Sequence, residues 1–154
     1  MAISIIQLPK KEFSKIKTLN AKLYLSISSL DKLLKTDKKT LEASFKQQKK
    51  GFGKHKGVIF IALDNSNIIG YTYGIIEKNK FYKENIGQIW ELFVDKKYRN
   101  KGVGKDLIKH ILIWFKKQNL RYVGIGALYS NPSTKLYKRL GFTEKRVSFI
   151  KRLK

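Results

Sequence analysis

The 154-residue sequence contains no cysteine, which excludes disulfides, thiolate metal sites and a cysteine nucleophile. Its two histidines, His55 and His110, lie far apart in the sequence and do not have the spacing of zinc ligands. No apolar run approaches the ~20 residues of a membrane span, and the first eight residues are too short and too polar-flanked for a signal peptide. We therefore expect a cytoplasmic, metal-free protein of one domain, residues 1–154, without membrane attachment.

Acidic residues are also scarce, since 11 Asp and Glu stand against 34 Lys and Arg and leave a formal net charge of +23. The lysines are dispersed, which favours a compositional bias with solvated faces. Such a charge also attracts polyanions and repels polycationic amines. The basic segment 49–56, in which Phe52 stands among cations, supports a nucleic-acid- or ribosome-associated binding module as an alternative function. No RNP, helix-turn-helix or KH pattern accompanies it, so nucleic acid is the less favoured partner.

The most informative stretch is residues 90–108, where an apolar strand, a basic turn and the start of a helix follow one another. A helix N-terminus presents backbone N–H groups without internal partners and carries a partial positive charge. Gly102 and Gly104 let a phosphate approach that backbone, because neither has a Cβ. Full positive charges surround the same turn, on Arg99, Lys101 and Lys105. We therefore predict a diphosphate-binding site at this turn.

Two common nucleotide-binding patterns are absent from this turn. A Walker A loop would need glycine at Arg99 and a hydroxyl residue at Asp106, and the dinucleotide fingerprint would need glycine at Leu107. What remains is Arg-x-x-Gly-x-Gly at 99–104, directly after a strand. This pattern resembles the acetyl-CoA-binding signature of the GCN5-related N-acetyltransferase (GNAT) superfamily.

A second stretch, residues 131–142, is similar to another signature of that superfamily, an Asn followed by Leu-Tyr and then Gly-Phe. The residues also predict a short helix on their own account. Asn131 is a strong N-cap, Pro132 suits the first helical position and Gly141 suits the position just past the end. The resemblance covers roughly residues 57–150, and both signatures stand in the expected order.

Hydrophobic periodicity predicts the remaining elements. Helices are expected over 10–34 (one bent helix or two), over 37–50 with Asp37 or Thr36 as cap, over 102–117 and after Asn131; residues 49–56 are expected to form a flexible basic loop. Strands are expected at 3–8, 58–63, 68–76, 88–94, 122–128 and 142–150. The order βααβββαβαβ is the one this superfamily uses. We therefore predict an α/β (α+β) fold with a mixed, mostly antiparallel central sheet flanked by helices.

The resemblance implies acetyl-CoA as co-substrate and no metal. Strands 88–94 and 122–128 would splay apart, and the pantetheine arm would lie between them, paired with backbone groups near Phe93 and Val94. Asn131 would hydrogen-bond this arm. The cofactor-binding residues implied are Phe93, Val94, Arg99, Asn100, Lys101, Gly102, Val103, Gly104, Lys105, Asn131 and Lys135.

Tyr137 matches the family's tyrosine on the helix after the second signature, which would protonate the departing thiolate of CoA. Periodicity alone instead favours a packed aromatic side chain beside Leu136 and Leu140. Because the chain has no cysteine, we expect direct transfer in a ternary complex without an acetyl-enzyme.

Glu91 is the only ionisable residue of strand 88–94. On strict alternation it shares a face with Phe93 and lies opposite Trp90. We interpret Glu91 as the base that deprotonates the acceptor amine, directly or through water, or as a ligand of that amine; an ordinary carboxylate at the solvent face is the alternative. Several polyamine and aminoglycoside acetyltransferases of the superfamily carry an acid one position earlier, at Trp90, so those acceptor classes are disfavoured.

The acceptor site is expected in the least patterned segments, residues 20–56 and the loop 77–86. Aromatic side chains there would line the site or simply cover the edge of the core: Tyr24, Phe52, Phe81 and Tyr82. The sequence leaves the acceptor open among a protein N-terminus, a lysine, a small amine and an aminoglycoside. It also leaves open a monomer or a homodimer, and a non-catalytic domain that only binds acetyl-CoA.

Overall fold

A computed structural model describes residues 2–78 and 80–153 of the chain. Its centre is a five-stranded sheet in the order β1-β2-β3-β4-β5. The first four strands pair antiparallel with their neighbours, and β5 is parallel to β4. The strands are β1 Ile3–Leu8, β2 Gly57–Asp64, β3 Asn67–Glu77, β4 Ile86–Val94 and β5 Val123–Ile125.

Helices connect and cover these strands in the order βααβββαβα. The α-helices are α1 Lys17–Ser28, α2 Lys38–Gly53, α3 Val103–Lys117 and α4 Ser133–Arg139; 3₁₀ helices span Lys10–Ile16 and Lys96–Tyr98. The predicted fold class, a mixed and mostly antiparallel sheet flanked by helices, is confirmed. In the part of the chain that the structure describes, none of the helices is both long and apolar enough to cross a bilayer.

The two faces of the sheet bury separate apolar clusters. One face packs against the first 3₁₀ helix, α1 and α2, and its buried side chains include Phe13, Phe52, Tyr71, Tyr73 and Phe93. The other face packs against α3, whose Leu107, Ile108, Ile111 and Phe115 are inaccessible to solvent. The apolar stripe of α3 repeats at helical spacing, which is why the sequence predicted this helix so closely.

Helix α2 begins where the sequence predicted, because the Asp37 carboxylate accepts the backbone N–H of Thr40 at 3.0 Å. It ends at Gly53, so the prediction of a flexible loop over 49–56 was wrong for its first five residues. The reason is Phe52, which is 1% exposed and packs against Phe13 with ring centroids 5.1 Å apart. Burial of this aromatic ring extends the helix past its run of lysines.

Strand β4 contains a β-bulge at Trp90. Glu91 lies opposite Tyr73 and Ile89 lies opposite Gly74, so Trp90 is an extra residue in β4. The bulge interrupts alternation. The Trp90 ring packs on Tyr73, with centroids 5.8 Å apart, on the same face as the Glu91 side chain. The prediction that Glu91 shares a face with Phe93 holds, but the prediction that it lies opposite Trp90 was wrong.

Strands β4 and β5 separate after a short contact, as the resemblance implied. Only residues 87–89 of β4 pair with β5, so the predicted strand 122–128 is shortened to three residues. The Asp95 N–H bonds the Ile69 carbonyl of β3. By two-residue alternation, the backbone groups of Phe93 also face β3, whereas those of Leu92 and Val94 face the open edge. Phe93 therefore presents no backbone group to the edge where the pantetheine arm was expected.

The predicted final strand, 142–150, is absent from the structure. Residues 143–153 are exposed, including Val147, Phe149 and Ile150. The segment is tied to the rest of the chain by polar contacts, such as Lys138–Glu144 at 2.7 Å and Arg146 to the Tyr82 hydroxyl at 2.7 Å. A segment with alternating apolar residues forms a strand only where a neighbouring strand is available for pairing. The neighbouring strand here would be β5, which has three residues and therefore offers few backbone groups for hydrogen bonding.

Candidate active site

The N-terminus of α3 is the first component of the site. Its N-cap, Gly102, has a left-handed backbone with φ of 85°, and no side chain caps the first-turn N–H groups. A Cβ at Gly102 would meet no heavy atom closer than 4.0 Å, so this backbone stands open to a ligand. The preceding turn also passes through the left-handed region at Asn100, with φ of 61°. The turn therefore presents unpaired amide groups at a positive helix end, where an anion binds favourably.

Gly104 has a different role from Gly102. A Cβ there would lie 3.4 Å from Leu136 Cδ2 and 3.8 Å from Val94 Cγ2. The missing side chain therefore lets α3 approach both α4 and β4 closely. Val103, between the two glycines, is buried in the cluster under α3. Packing, rather than phosphate access alone, accounts for glycine at position 104.

The basic side chains of the turn point to separate places. Arg99 donates its Nε–H to the Val94 carbonyl at 2.9 Å, and its guanidinium lies 5.5 Å from the centre of the Phe93 ring. Lys101 lies over the Tyr98 ring at 5.5 Å, and Lys105 is exposed on the first turn of α3. Arg99 thus sits at the open edge of β4, while the lysines surround the helix end.

Helix α4 carries the second predicted group of residues. The Asn131 side chain accepts the Ser133 N–H at 2.9 Å, and its carbonyl accepts the Thr134 N–H at 3.1 Å. Asn131 thus bonds the start of the helix from one residue before the N-cap, Pro132, so the predicted start of this helix was wrong by one position. The helix itself begins at Ser133, after Pro132. Gly141 follows its end with φ of 88°, the left-handed conformation expected there. Lys135 is exposed on the first turn.

Tyr137 lies partly buried on the inner side of α4. Its ring packs edge-on against Phe142, with centroids 6.1 Å apart. Burial raises the pKa of this phenol, although the nearby Ser133 hydroxyl opposes the shift. The buried Ser133 oxygen is a neighbour of the phenol, although their contact does not have the geometry of a well-formed hydrogen bond. The phenol stays protonated at neutral pH.

Glu91 is buried, with 7% exposure, which contradicts its interpretation as a carboxylate on the solvent face. Neutral donors surround it. Its Oε2 accepts the Tyr71 hydroxyl at 2.6 Å and the Asn20 amide at 2.8 Å, and its Oε1 accepts the Tyr24 hydroxyl at 3.1 Å. Desolvation raises the pKa of Glu91, and these hydrogen bonds oppose that shift.

Gln48 extends this network outward from α2. Its amide nitrogen donates to the Tyr24 hydroxyl at 2.6 Å, and its amide oxygen accepts from Asn20 at 2.9 Å. Sequence analysis named Tyr24 and Glu91 but missed Asn20, Gln48 and Tyr71. A signal was present, because Asn20 lies four residues after Ile16, and Gln48 lies three after Phe45. Both are polar residues on an otherwise apolar helix stripe, a pattern that marks buried polar groups.

Two clefts flank Glu91 on this face of the sheet. A neutral cleft of about 360 Å³ is lined by Ser44, Gln47, Gln48, Gly51 and Trp90. A basic cleft of about 320 Å³ is lined by Lys22, Ser26, Phe93, Asp95, Lys96 and Arg99. Within the basic cleft Lys22 pairs with Asp95 at 2.7 Å, and hydrogen bonding by Lys22 lowers the pKa of that carboxyl group.

The other predicted acceptor aromatics do not join this site. Phe52 is in the core, Phe81 is 97% exposed, and Tyr82 binds Arg146 of the C-terminal segment. The structure brings Tyr24, Gln48, Trp90 and Glu91 together, and the loop 77–86 (of which residue 79 lies outside the described residues) contributes none of them.

Solved acetyltransferases share this fold. A putative acetyl transferase from Pyrococcus furiosus superposes with a TM-score of 0.82 at 19% identity, over 99% of this chain and 100% of that one. The aminoglycoside N-acetyltransferase AAC(6')-Iy, in complex with the bisubstrate analogue CoA-S-monomethyl-acetylneamine, superposes with a TM-score of 0.71 at 21% identity, over 99% of each chain. At these identities the likeness concerns the fold.

Sequence comparison identifies the family. An uncharacterised N-acetyltransferase of Methanocaldococcus jannaschii is 38% identical over 66 residues, which are 42% of this chain and 29% of that protein. The match thus spans less than a third of the relative's length. The acetyltransferase (GNAT) family matches this sequence over residues 24–142, a range that contains the α3 turn, Glu91 and Tyr137. The chain therefore belongs to the acetyltransferase (GNAT) family.

Proposed function

We propose that this protein transfers an acetyl group from acetyl-CoA to a primary amine, directly and in a ternary complex. The observation that carries the proposal is the placement of two features on β4 and the turn after it. A buried carboxylate with a raised pKa lies on the strand, and an uncapped helix N-terminus follows it. A diphosphate bound at the helix end would direct the rest of the cofactor along the open edge of β4.

The residues present fit acetyl-CoA. The α3 turn offers unpaired N–H groups and a glycine without a Cβ contact, which suits a diphosphate. The open edge offers the backbone groups of Leu92 and the Val94 N–H to an extended amide-containing arm, while the Val94 carbonyl is bonded to Arg99. When bound, acetyl-CoA supplies a thioester whose carbonyl carbon is open to attack by an amine.

Glu91 is the proposed base. A lysine-like amine has a pKa near ~10.4, so it must lose a proton before its nitrogen can attack. Burial raises the pKa of Glu91, which makes the carboxylate a better proton acceptor at neutral pH. Within the described residues its hydrogen-bond partners are all neutral, so no bound cation competes for its charge. Proton transfer would pass through the Tyr24 hydroxyl or a water molecule, because the carboxylate is enclosed.

Tyr137 is the proposed acid. As the C–N bond forms and the C–S bond breaks, the thiolate needs a proton, and burial keeps the Tyr137 phenol protonated. The proton taken up by Glu91 and the one given by Tyr137 balance, so exchange with solvent restores both groups. Asn131 orders the start of α4 and thereby positions Tyr137.

The nucleic-acid alternative is weaker than the sequence implied. Its main local support was an aromatic among cations at 49–56, and Phe52 is 1% exposed in the core, where it cannot stack on a base. A domain that only binds acetyl-CoA would not need a buried carboxylate such as Glu91. A cytoplasmic location and the oligomeric state stay predictions.

Thermal unfolding with and without ligand tests the proposal. Acetyl-CoA at a hundred times its Kd should add ~2.7 kcal/mol of stability, and RNA should add none. Release of free thiol in the presence of an amine panel then tests transfer. If RNA stabilises the protein in a salt-sensitive way and acetyl-CoA does not, nucleic-acid binding becomes the favoured function. If acetyl-CoA binds but no amine causes thiol release, the protein is better described as a non-catalytic acetyl-CoA-binding domain.

A further inference from the structure

We infer that the neutral cleft between α2 and Trp90 binds the acceptor, and that the acceptor carries an uncharged, mainly apolar group beside its reactive amine. The inference rests on the proposed acetyl transfer and names the substrate class of that site. A primary amine joined to one aromatic ring by a short chain has the required chemistry.

The neutral cleft is connected to the proposed base by two hydrogen bonds. Gln48 lines the cleft and donates to the Tyr24 hydroxyl at 2.6 Å, and that hydroxyl donates to Glu91 Oε1 at 3.1 Å. A phenol oxygen has two lone pairs, and Gln48 occupies one of them. The other lone pair is left for the N–H of an amine, so an amine in the cleft would lie within reach of the path to Glu91.

The neutral cleft is separate from the expected cofactor site. Four of its lining residues belong to α2, and the fifth, Trp90, contributes its indole. Arg99 lines the other cleft, and the side chains of Leu92 and Val94 pack under α3 on the opposite face of the sheet. A ligand in the neutral cleft would therefore leave the α3 turn and the open edge of β4 to acetyl-CoA.

The lining favours an uncharged group. None of its five residues is ionisable. An ammonium or carboxylate group buried there would lose hydration without gaining an ion pair. The neighbouring α2 residues Lys46, Lys49 and Lys50 are exposed and lie outside the lining, and together with the net charge of +23 they repel a second ammonium group.

Trp90 supplies the main binding surface. Its side chain is 37% exposed, and edge-on contacts with the rings of Tyr73 and His55, at 5.8 and 6.2 Å between centroids, hold the indole in place. The Gln48 amide is already bonded within the network of Glu91. An apolar ring packed on a fixed indole is favoured by burial and costs little side-chain entropy in the protein.

Gly51 keeps the space beside this indole open. A Cβ at Gly51 would lie 3.7 Å from Trp90 Cη2 and 3.8 Å from Trp90 Cζ3, an ordinary contact without a clash. Glycine within a helix costs stability relative to alanine, and the open cleft accounts for its presence here. The cleft volume of about 360 Å³ is at the small end of the range for ligand sites, which suits one ring on a short chain.

The test compares phenethylamine, putrescine and γ-aminobutyrate, which join a primary amine to a ring, a second ammonium group and a carboxylate. Thiol release and product mass would be measured with the wild-type protein at saturating acetyl-CoA and about 0.15 M ionic strength, which screens the overall field. The kcat/KM for phenethylamine should exceed that for either charged amine by at least ~10-fold, because burial of one unpaired charge costs more than that factor.

Two glycines of α2 provide a matched pair of variants. Gly51→Ala should raise the KM for phenethylamine by ~10-fold, because one added methyl group fills the space beside Trp90. The KM for acetyl-CoA should stay unchanged, and Tm should not fall, since alanine favours the helix. Gly53→Ala places a Cβ where no atom lies within 4 Å and should keep the wild-type KM.

A charge placed in the lining tests the same preference in the opposite direction. Gln47→Glu puts a carboxylate into the cleft and should raise kcat/KM for putrescine by ~3- to 10-fold. Gln7→Glu makes the same change in net charge on β1, at the far edge of the sheet, and should leave this value within about 2-fold of wild type.

Three outcomes would overturn the inference. Putrescine or γ-aminobutyrate might equal or surpass phenethylamine in the wild-type protein, or Gly51→Ala could leave the KM for phenethylamine unchanged; either result leaves acetyl transfer intact. A raised KM for acetyl-CoA in Gly51→Ala would assign the cleft to the cofactor. The absence of thiol release with these three amines and with every other amine would contradict the proposed function, and the inference with it.

Discussion

The described residues up to Phe115 (2–78 and 80–115) are packed very differently from residues 116–153, although each region supplies one half of the proposed site. Every buried side chain of the described structure lies between Leu8 and Phe115. The later part contains β5, α4 and an exposed C-terminal segment, and its apolar residues are at most partly buried. Glu91 therefore belongs to a rigid, close-packed region, and Tyr137 to a loosely attached one.

Because of this difference, the two proposed catalytic groups are held in place in different ways. The proposed base, Glu91, is held in place by the fold itself, because Tyr71, Asn20 and Tyr24 bond both carboxylate oxygens. The proposed acid, Tyr137, lies on a seven-residue helix without a fully buried residue. Cofactor binding between β4 and α4 would add contacts to α4, so Tyr137 should be held more tightly when acetyl-CoA is bound.

The largest expected effect on kcat is that of removing the hydroxyl of Tyr137, the proposed acid. Tyr137→Phe should lower kcat by ~10²- to 10⁴-fold, because the phenyl ring cannot protonate the thiolate. The ring keeps its packing against Phe142, so stability and acetyl-CoA affinity should stay near wild type. Steady-state thiol release and calorimetry would measure both, with Tyr129→Phe, at a 97% exposed position, as control. Full turnover would assign Tyr137 to packing and leave protonation to solvent.

Glu91→Gln should lower kcat/KM by ~10²-fold, because the amide cannot accept the proton of the amine. Folding raises the pKa of Glu91 above its ordinary value of 4.5. Wild-type activity should therefore fall as the pH drops through that raised pKa, and the variant should lack this acidic limb. Glu84→Gln, in an exposed ion pair with Arg121, is the control. A raised KM for the amine with the limb unchanged would show that Glu91 binds the acceptor instead.

The contrast in packing predicts that a Gly→Ala substitution will destabilise the first region much more than the second. A Cβ at Gly87 would lie 2.7 Å from Phe115, whereas a Cβ at Gly126 would meet no atom within 4 Å. Gly87→Ala should lower the free energy of unfolding by about 1–3 kcal/mol, and Gly126→Ala should change it by less than about 0.5 kcal/mol. Urea denaturation would compare the two variants. Equal losses would mean that the two regions are packed alike.

Hydrogen exchange would test directly whether acetyl-CoA stabilises α4. Saturating acetyl-CoA should slow exchange in α4 by ~10-fold and leave the amides of β2 and β3 nearly unchanged. Protection confined to the α3 turn would show that α4 gains no contacts from the cofactor.

The smallest effect is expected in the C-terminal segment. Phe149 is 91% exposed, so Phe149→Ser should change the free energy of unfolding by less than about 0.5 kcal/mol. Thermal unfolding at several protein concentrations would measure it. A larger loss, or one that grows with concentration, would show that a second copy of the chain covers this residue.

Local features of the sequence were predictable because their causes lie within a few residues. The α3 turn, the Asn131 side-chain bond at the start of α4 and the left-handed Gly141 follow from side-chain caps, glycine and helical periodicity. The helix bounds of α3 were correct to within one residue for the same reason. The family signatures lie in these local features, which is why the fold class could be predicted as well.

The errors came from long-range pairing. The bulge at Trp90 depends on the register between β3 and β4, which no window of the sequence contains. The burial of Glu91 depends on α1, α2 and β3 meeting at one point. The final strand was predicted from the hydrophobic pattern and from the element order of the superfamily. A strand also requires a partner, and 142–150 finds none in the described structure.

The bulge at Trp90 also brings to one face of the sheet two consecutive residues that ordinary alternation would put on opposite faces. It places the wall of the neutral cleft and the carboxylate of Glu91 side by side, on consecutive residues of one face. Trp90 is 37% exposed and does not bond the carboxylate, whereas Glu91 is locked into its network. Mutation at position 90 should therefore change the shape of the neutral cleft while position 91 keeps its hydrogen bonds. The cleft beside the proposed base can thus vary between related sequences without any change to the base itself.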